Sequence, residues 1–383
     1  MTGPPHAVRS PLADSPIHFG WQVSPYSAKT RAYLQHSTVP FKDVEPGAWT
    51  LWRTIQPAVG RIIMPTVRLP NGSWLQDSSR ILDHFEGQPG FPPLYPPGPR
   101  QRLASTMLEV FGDEWLPMAA LHYRWNRPEN ARFALNEFAR SGAPWLPRIL
   151  GRPLVRSFAT RMQSYLPVLG VDGETIPAVE ETVRLVLDAL ESHLIEVPFL
   201  FGGAPSMGDF SLFGPLWAHL YRDPASRSLF DDHPAVRRWM DALRTGETGH
   251  DDVFLPDDEV PEALDPLFAC ILTDQWAWIR QLVAAIDGYC EAHPGAKRVP
   301  RALGSAPFTI RGRQGERKLV TFVQWKAQRA VDAHTAAGKV ADRWLDRVWA
   351  VEHGEGPRPP FVSVQHPFVL QGARAVLAEA ARS

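Results

Sequence analysis

The sequence predicts an α+β protein: a small mixed α/β unit, then a mostly α-helical domain, then a mostly helical C-terminal extension containing a β-hairpin. Three observations carry this reading. Before residue 90, short apolar runs exit into turn residues and short helical patterns; after residue 100, helical patterns dominate; and Phe308 to Val320 reads as a hairpin with a glycine turn.

Element by element, Ile17 to Val23 is the first strand candidate, and a helix follows from about Ser27 to Ser37, where Lys29, Arg31 and Gln35 alternate with Ala28, Ala32 and Leu34. Ser24-Pro25-Tyr26-Ser27 joins them. A hydroxyl where a strand turns into a helix sits among unpaired N–H groups at the positive end of the helix dipole, a place that stabilises an anion such as a thiolate. The plainer reading is a helix cap from Ser24 or Ser27, with Pro25 in the first turn. Ile62 to Val67 sets Pro65 in a β-branched run, so that proline opens the strand or sits in a cis bond. Pro70-Asn71-Gly72 signals a hairpin turn, and a short helix starts at Asp77, Ser78 or Ser79.

At these residues the chain resembles the glutathione S-transferase family. The matching pieces are Ser24 to Arg31, Met64-Pro65-Thr66-Val67 and Gln76 to Ile81. The resemblance implies a thioredoxin-like N-terminal domain that binds glutathione as co-substrate. Carried over by position, Ser24 is the thiol-activating catalytic hydroxyl, and Tyr26, Met64 and Pro65 lie along the cofactor site. Met64 offers its backbone to the cysteinyl part, while Asp77 and Ser78 clamp the γ-glutamyl end. That chemistry is coherent: Ser78 and helix N–H groups suit a carboxylate, and Asp77 suits an ammonium. Asp77 is one methylene shorter than the family's usual Glu or Gln, and Arg61 is the candidate cation for the glycyl carboxylate. A fourth match is Phe199 to Leu212, where Ser206 and Asp209 form a structural capping box worth roughly 1 kcal/mol.

Net charge is −1, from 40 basic and 41 acidic residues, so nothing steers the chain toward nucleic acid or a membrane. No apolar run is long enough for a spanning helix, and the N-terminus lacks signal-peptide features. Cys270 and Cys290 are too few for a disulfide framework, which points to a reducing, cytoplasmic setting. The 13 histidines show no zinc-binding pattern, so no metal is expected.

The expected organisation is a mobile tail at 1–14, the thioredoxin-like domain at 15–90, a stiff Pro-rich linker at 91–100, the all-helical domain at 101–250 and the extension at 261–383. An acidic loop from Thr248 to Glu259 marks the second boundary. The stretch Asn126 to Thr175 is broken by prolines and patterned weakly. The extension reads as a long helix from Pro261 to about His293, the hairpin, and a helical stretch from Phe322 to Trp349. Its tryptophans need burial, so it packs on the rest of the chain. The hairpin's Arg311, Arg313, Arg317 and Lys318 read as a solvated basic edge, or alternatively as a contact for an acidic partner or a cover over the active cleft.

Asp113-Glu114-Trp115 and His122-Tyr123-Arg124-Trp125 form the densest polar-aromatic cluster. In transferases of this shape such helices line the electrophile pocket, which makes Trp115, His122, Tyr123 and Arg124 substrate-binding candidates. The structural alternative pairs Arg124 with Asp113 or Glu114 inside a core. The resemblance thus implies a thiolate attacking a small hydrophobic electrophile, with two alternatives: an isomerase or ether-cleaving enzyme using the same thiol, or a non-catalytic scaffold on this fold. It also implies a homodimer, whose surface the extension is large enough to occupy or remodel.

Overall fold

The computed structural model describes residues 15–247, 253–372 and 374–379. The expected tail at 1–14 and the Thr248–Asp252 part of the acidic loop lie outside them. Strand β1 (Ile17–Phe19) leads into helix α1 (Pro25–Gln35), and β2 (Lys42–Val44) returns beside it. A helical segment at 48–59 precedes β3 (Thr66–Arg68), β4 (Trp74–Gln76) and helix α2 (Ser78–Phe85). The sheet order is β2-β1-β3-β4, with β1 and β2 parallel and the other pairs antiparallel. This is the expected thioredoxin-like unit. β1 is shorter than the apolar run suggests because the chain turns early: Ser24 N–H donates to the Trp21 carbonyl at 3.1 Å, and the Trp21 indole donates to the Pro46 carbonyl at 2.8 Å. At the β3–β4 turn, Gly72 takes φ 84°, and Asn71 Oδ1 accepts the Ser73 N–H at 2.9 Å.

Helices α3 (Pro99–Glu114) and α4 (Pro117–Asn126) follow, each opened by a proline whose missing N–H costs nothing in the first turn. The α3 N-terminus is capped from afar. Gly98 has no side chain to offer, and Asp258 of the acidic loop accepts the Arg100 and Gln101 N–H groups at 2.7 and 2.9 Å. The weakly patterned stretch after Asn126 is itself helical, over Pro128–Gly142, Arg148–Gln163 and Tyr165–Val168. Pro128 opens the first of these and Pro153 lies inside the second, so prolines punctuate helices there without abolishing them. Helices α5 (Ile176–Leu194) and α6 (Met207–Pro215) follow, and a further helix at Pro234–Thr245 carries Trp239. α6 crosses so close to α3 and α1 that a Cβ at Gly112 would sit 2.4 Å from the Ser211 carbonyl oxygen, and one at Gly214 would sit 2.6 Å from that of Pro25. The Ser206–Asp209 capping box forms, and Asp209 also accepts the Leu200 N–H at 3.0 Å and the Trp239 indole N–H at 2.9 Å.

In the extension, the expected long helix is Asp265–Cys270 continued through a wider π-type turn at 271–275 into α7 (Trp276–Ala292). The hairpin is β5 (Ala302–Ile310) and β6 (Arg313–Val320), turning at Arg311 and Gly312 with φ 43° and 75°. The last helical stretch is two helices, α8 (Phe322–Ala337) and α9 (Lys339–His353), because Gly338 at φ 54° ends the first. A second hairpin, β7 (Phe368–Gln371) and β8 (Arg374–Leu377), was not legible in the sequence.

One apolar core runs from Tyr33 and Ile81 through Leu103 and Met107 to Trp276, Trp278, Phe308 and Trp344. The basic-edge reading of the hairpin needs correction at two residues. Arg317 is buried, its guanidinium 4.7 Å from the Trp115 ring centroid and 4.5 Å from that of Trp278, and it donates to the Glu114 carbonyl at 2.7 Å. Arg311 pairs with Glu352 at 2.5 Å and Glu181 at 3.3 Å. The flat aromatic faces accept a guanidinium that would otherwise stay in water. Among the described residues, no helix is long and apolar enough to cross a membrane and no side-chain cluster could hold a metal ion.

Because α8 and α9 lie along α3, a chain ending at Asp257 loses both the Asp258 cap and that cover. Such a truncation is expected to be insoluble, or to melt at least about 10 °C lower, given several kcal/mol of lost burial at about 2–4 °C per kcal/mol. Expression trials and scanning calorimetry check this; an unchanged melting temperature would show the extension to be separable.

Candidate active site

Strand register gathers the first set of candidate residues. Thr66 stands opposite Phe19 on one side and Gln76 on the other. The β1 exit toward Ser24, the β3 entry through Met64 and Pro65, and the β4 exit toward Asp77 and Ser78 therefore share one end of the sheet. Both α1 and α2 begin there, so two positive helix ends converge on it. The Met64–Pro65 bond is cis.

Ser24 caps α1 and lies half-buried, its Oγ accepting the Ser27 N–H at 3.2 Å. Accepting through oxygen leaves the Ser24 O–H proton for another partner. Tyr26 donates its hydroxyl to the Asp113 carbonyl at 2.9 Å, and burial raises its pKa well above the ordinary phenol value. Asp77 caps α2 at φ 71°, with Oδ1 accepting the Ser79 and Arg80 N–H groups at 3.0 and 3.2 Å. The Ile81 N–H bonds the Asp77 carbonyl, so the first-turn N–H left over belongs to Ser78.

Beneath this end lies a buried ion network that sequence reasoning missed. Lys29 of α1 and Lys326 of α8 each donate to Asp113 Oδ2 at 2.8 Å. Lys326 also donates to Ser79 Oγ, and Ser79 donates to Glu109. Arg329 bridges Glu109 at 2.9 Å and Asp83 at 2.7 Å, and donates to the Tyr95 hydroxyl. Lys326 stands 3.7 Å from Asp77 Oδ1. Burial alone would lower the Lys326 pKa, but Asp113, Asp77 and Glu109 more than reverse that and hold it charged. Burial likewise works to raise the Glu109 pKa, and Arg329, Lys29 and Lys326 pull it far below the usual carboxylate range. No local pattern marks these partners, since they join residues up to 247 positions apart.

The second set of candidates is engaged in contacts of its own. Trp115 is buried against Trp278 and Phe308. His122 contacts Glu180 of α5 at 3.0 Å and Asn126 at 2.9 Å, and burial lowers its pKa. Tyr123 is buried beside it, its pKa pushed up to about 12 by burial. Arg124 is buried, and its carboxylate partner is Asp223, not Asp113 or Glu114: Nε and Nη2 meet it at 2.8 Å each. Arg124 Nη1 and His219 Nε2 both donate to the Val23 carbonyl, at 2.9 and 3.2 Å. Burial lowers the His219 pKa well below its ordinary value, so the ring is neutral there. Arg124 therefore anchors the turn that carries Ser24.

Residues 19–93 match the glutathione S-transferase N-terminal domain, and residues 173–242 match the C-terminal domain. The chain thus carries both domains of the glutathione S-transferase family within those residues. Similar solved structures include a glutathione S-transferase-like protein from Pseudomonas syringae, 21% identical, covering 62% of this chain and 68% of that one, with a TM-score of 0.42. Others are the β-etherase LigF from Sphingobium sp. strain SYK-6 (16% identical, 60% and 94% covered, TM-score 0.40) and a Methylobacterium radiotolerans glutathione S-transferase in complex with glutathione sulfonate (22% identical, 61% and 92% covered, TM-score 0.38). A search of curated proteins finds no match. The two family domains account for the sheet, α1, α2 and the centre of the helical region; α7 to β8 lie beyond them.

Arg124→Met leaves Asp223 buried and unpaired and is expected to cost about 3–5 kcal/mol, whereas adding Asp223→Asn restores a large part of that. Denaturant titration of the three proteins checks it; a double variant no better than the single one would refute the pairing argument. A second prediction concerns Glu114, half-buried at the end of α3. Burial raises its pKa from 4.5 to about 8, against the Lys326 charge and with help from Asp113. Between those two values the native state keeps a proton that the unfolded state has lost, so stability falls as pH rises through the window. Glu114→Gln is expected to flatten that slope and to raise the melting temperature at pH 8 relative to the wild type, as melting curves across the window will show.

Proposed function

We propose that the chain is a glutathione-dependent transferase whose thiol site is the sheet end bearing Ser24, Met64 and the α2 N-terminus. The carrying observation is the register that sets Thr66 between Phe19 and Gln76, bringing these three segments to one place. The donor set fits the peptide. Ser78 and the first α2 N–H suit a γ-glutamyl carboxylate, and Met64 supplies backbone groups for the cysteinyl part. Bound glutathione supplies a thiol, whose ordinary pKa is near ~8.5. The Ser24 hydroxyl, already accepting the Ser27 N–H, directs its proton at the sulfur, and the α1 dipole adds to that stabilisation. Each unit of thiol pKa lowered is about 1.4 kcal/mol of preference for the thiolate. The apolar cluster of Trp21, Ile55, Trp125 and Phe138, with Met64 packed on it, supports a hydrophobic electrophile beside that sulfur. The same thiolate serves conjugation, isomerisation or ether cleavage.

The test is Ser24→Ala with an aryl halide as electrophile. Turnover is expected to fall about a hundred- to a thousand-fold, the scale of one lost oxyanion-type donor, while the glutathione dissociation constant stays within about threefold. Unchanged turnover with several electrophiles would remove Ser24 from the mechanism.

A second reading, a binding or scaffold module on the same fold, has one observation in its favour. Trp49, Trp52 and Trp145 are 67, 72 and 64% exposed, far more than tryptophans usually are. Calorimetry with glutathione separates the two readings. No heat and no thermal shift at millimolar glutathione would favour the module, because a ligand above its dissociation constant must stabilise the folded state.

A further inference from the structure

Resting on the glutathione reading, we infer that Lys326 of the extension is a specificity-determining residue that fills the cation position at the γ-glutamyl end. The site would then prefer a thiol peptide that presents a carboxylate there but no ammonium. Each acid beneath the α2 N-terminus already has a cation within 4 Å. Asp83 faces Arg329, Glu109 faces Arg329 and both lysines, Asp113 faces Lys29 and Lys326, and Asp77 faces Lys326 at 3.7 Å. Lys326 is 2% exposed and bonded to both Ser79 and Asp113, so it cannot swing away without leaving charges unpaired. Asp77 commits Oδ1 to two helix N–H groups.

A ligand ammonium bound to the remaining Asp77 oxygen would lie a few ångströms from the Lys326 ammonium. Like charges at that range repel strongly where water is excluded. A ligand carboxylate at the Ser78 N–H meets the opposite field, from the α2 dipole and from Lys326 together. The extension further fixes this corner through Arg80, whose Nη1 donates to the Gly372 carbonyl at 2.9 Å.

The experiment is isothermal calorimetry of the full chain with glutathione and with its des-amino analogue, γ-glutaryl-cysteinylglycine, on the wild type, Lys326→Arg and Lys326→Gln. The wild type and Lys326→Arg are expected to bind the des-amino peptide about tenfold tighter than glutathione, and Lys326→Gln to lose or reverse that preference. Wild-type protein that binds glutathione as tightly as the analogue, or more tightly, overturns the inference. So does a ratio unchanged in a folded Lys326→Gln. Should Lys326→Gln not fold, the wild-type ratio decides alone. If neither peptide binds any of the proteins, the glutathione reading falls and this inference falls with it.

Discussion

The structure depends most on the buried ion network that ties the extension to the family core. Lys29 comes from α1, Ser79 and Asp83 from α2, Glu109 and Asp113 from α3, and Lys326 and Arg329 from α8. Such a network is a poor source of net stability, since desolvating each ion costs about as much as pairing returns. Its effect is conditional. With all partners in place the charges are satisfied; with one helix displaced, several ions are stranded in an apolar interior. α8 and α3 are thereby held in a single register, and the extension becomes a condition for the core's integrity. The indole faces that sandwich Arg317 do the same for β6 with neutral partners.

What could be read from the sequence was local. Ser24 before Pro25, Asn71-Gly72 at a turn and Ser206 three residues before Asp209 each impose their geometry through atoms a few residues away, and each forms. Pro65 also sat where the run demanded an opening or a cis bond. The misreadings share the opposite property. Arg124 finds Asp223 ninety-nine positions on, and Asp258 caps a helix more than a hundred and fifty positions back. Arg317, surrounded in sequence by charges that suit a wet edge, is buried because two tryptophans from other elements flank it. Position along the chain carries no information about such partners, so a polar-aromatic cluster that looked like a substrate pocket could equally be a core. For Trp115 and Arg124 the geometry favours the core, and Arg124 in addition orients the Val23 carbonyl ahead of Ser24.

That orienting contact links the helical region to the chemistry proposed for the sheet end. A serine at a strand-to-helix turn is useful to a thiol only if its O–H points at one place, and a loop serine can take three rotamers. Here the backbone on its N-terminal side is fixed by two buried donors, Arg124 and His219, while the oxygen itself is fixed by the Ser27 N–H. Neither constraint uses the hydroxyl proton. The rotor is therefore restrained without being consumed, which is what preorganisation of a donor toward a developing charge requires.

Charge around that serine comes from two sources, the helix N-termini and the paired acids of α2 and α3. The α1 and α2 N-termini both open onto the sheet end, where their partial positive charge favours a thiolate and a carboxylate. The acids of α2 and α3 are each matched by a cation, which offsets their opposition to that field. A site lined by bare aspartates would repel the anions the helices attract. Lys326 reduces the conflict, because it stands within 4 Å of Asp77, Glu109 and Asp113, while Arg329 matches Asp83. The residue that docks the extension therefore also stands 3.7 Å from the Asp77 cap of α2, so a change in how α8 packs would alter the charge at that helix end.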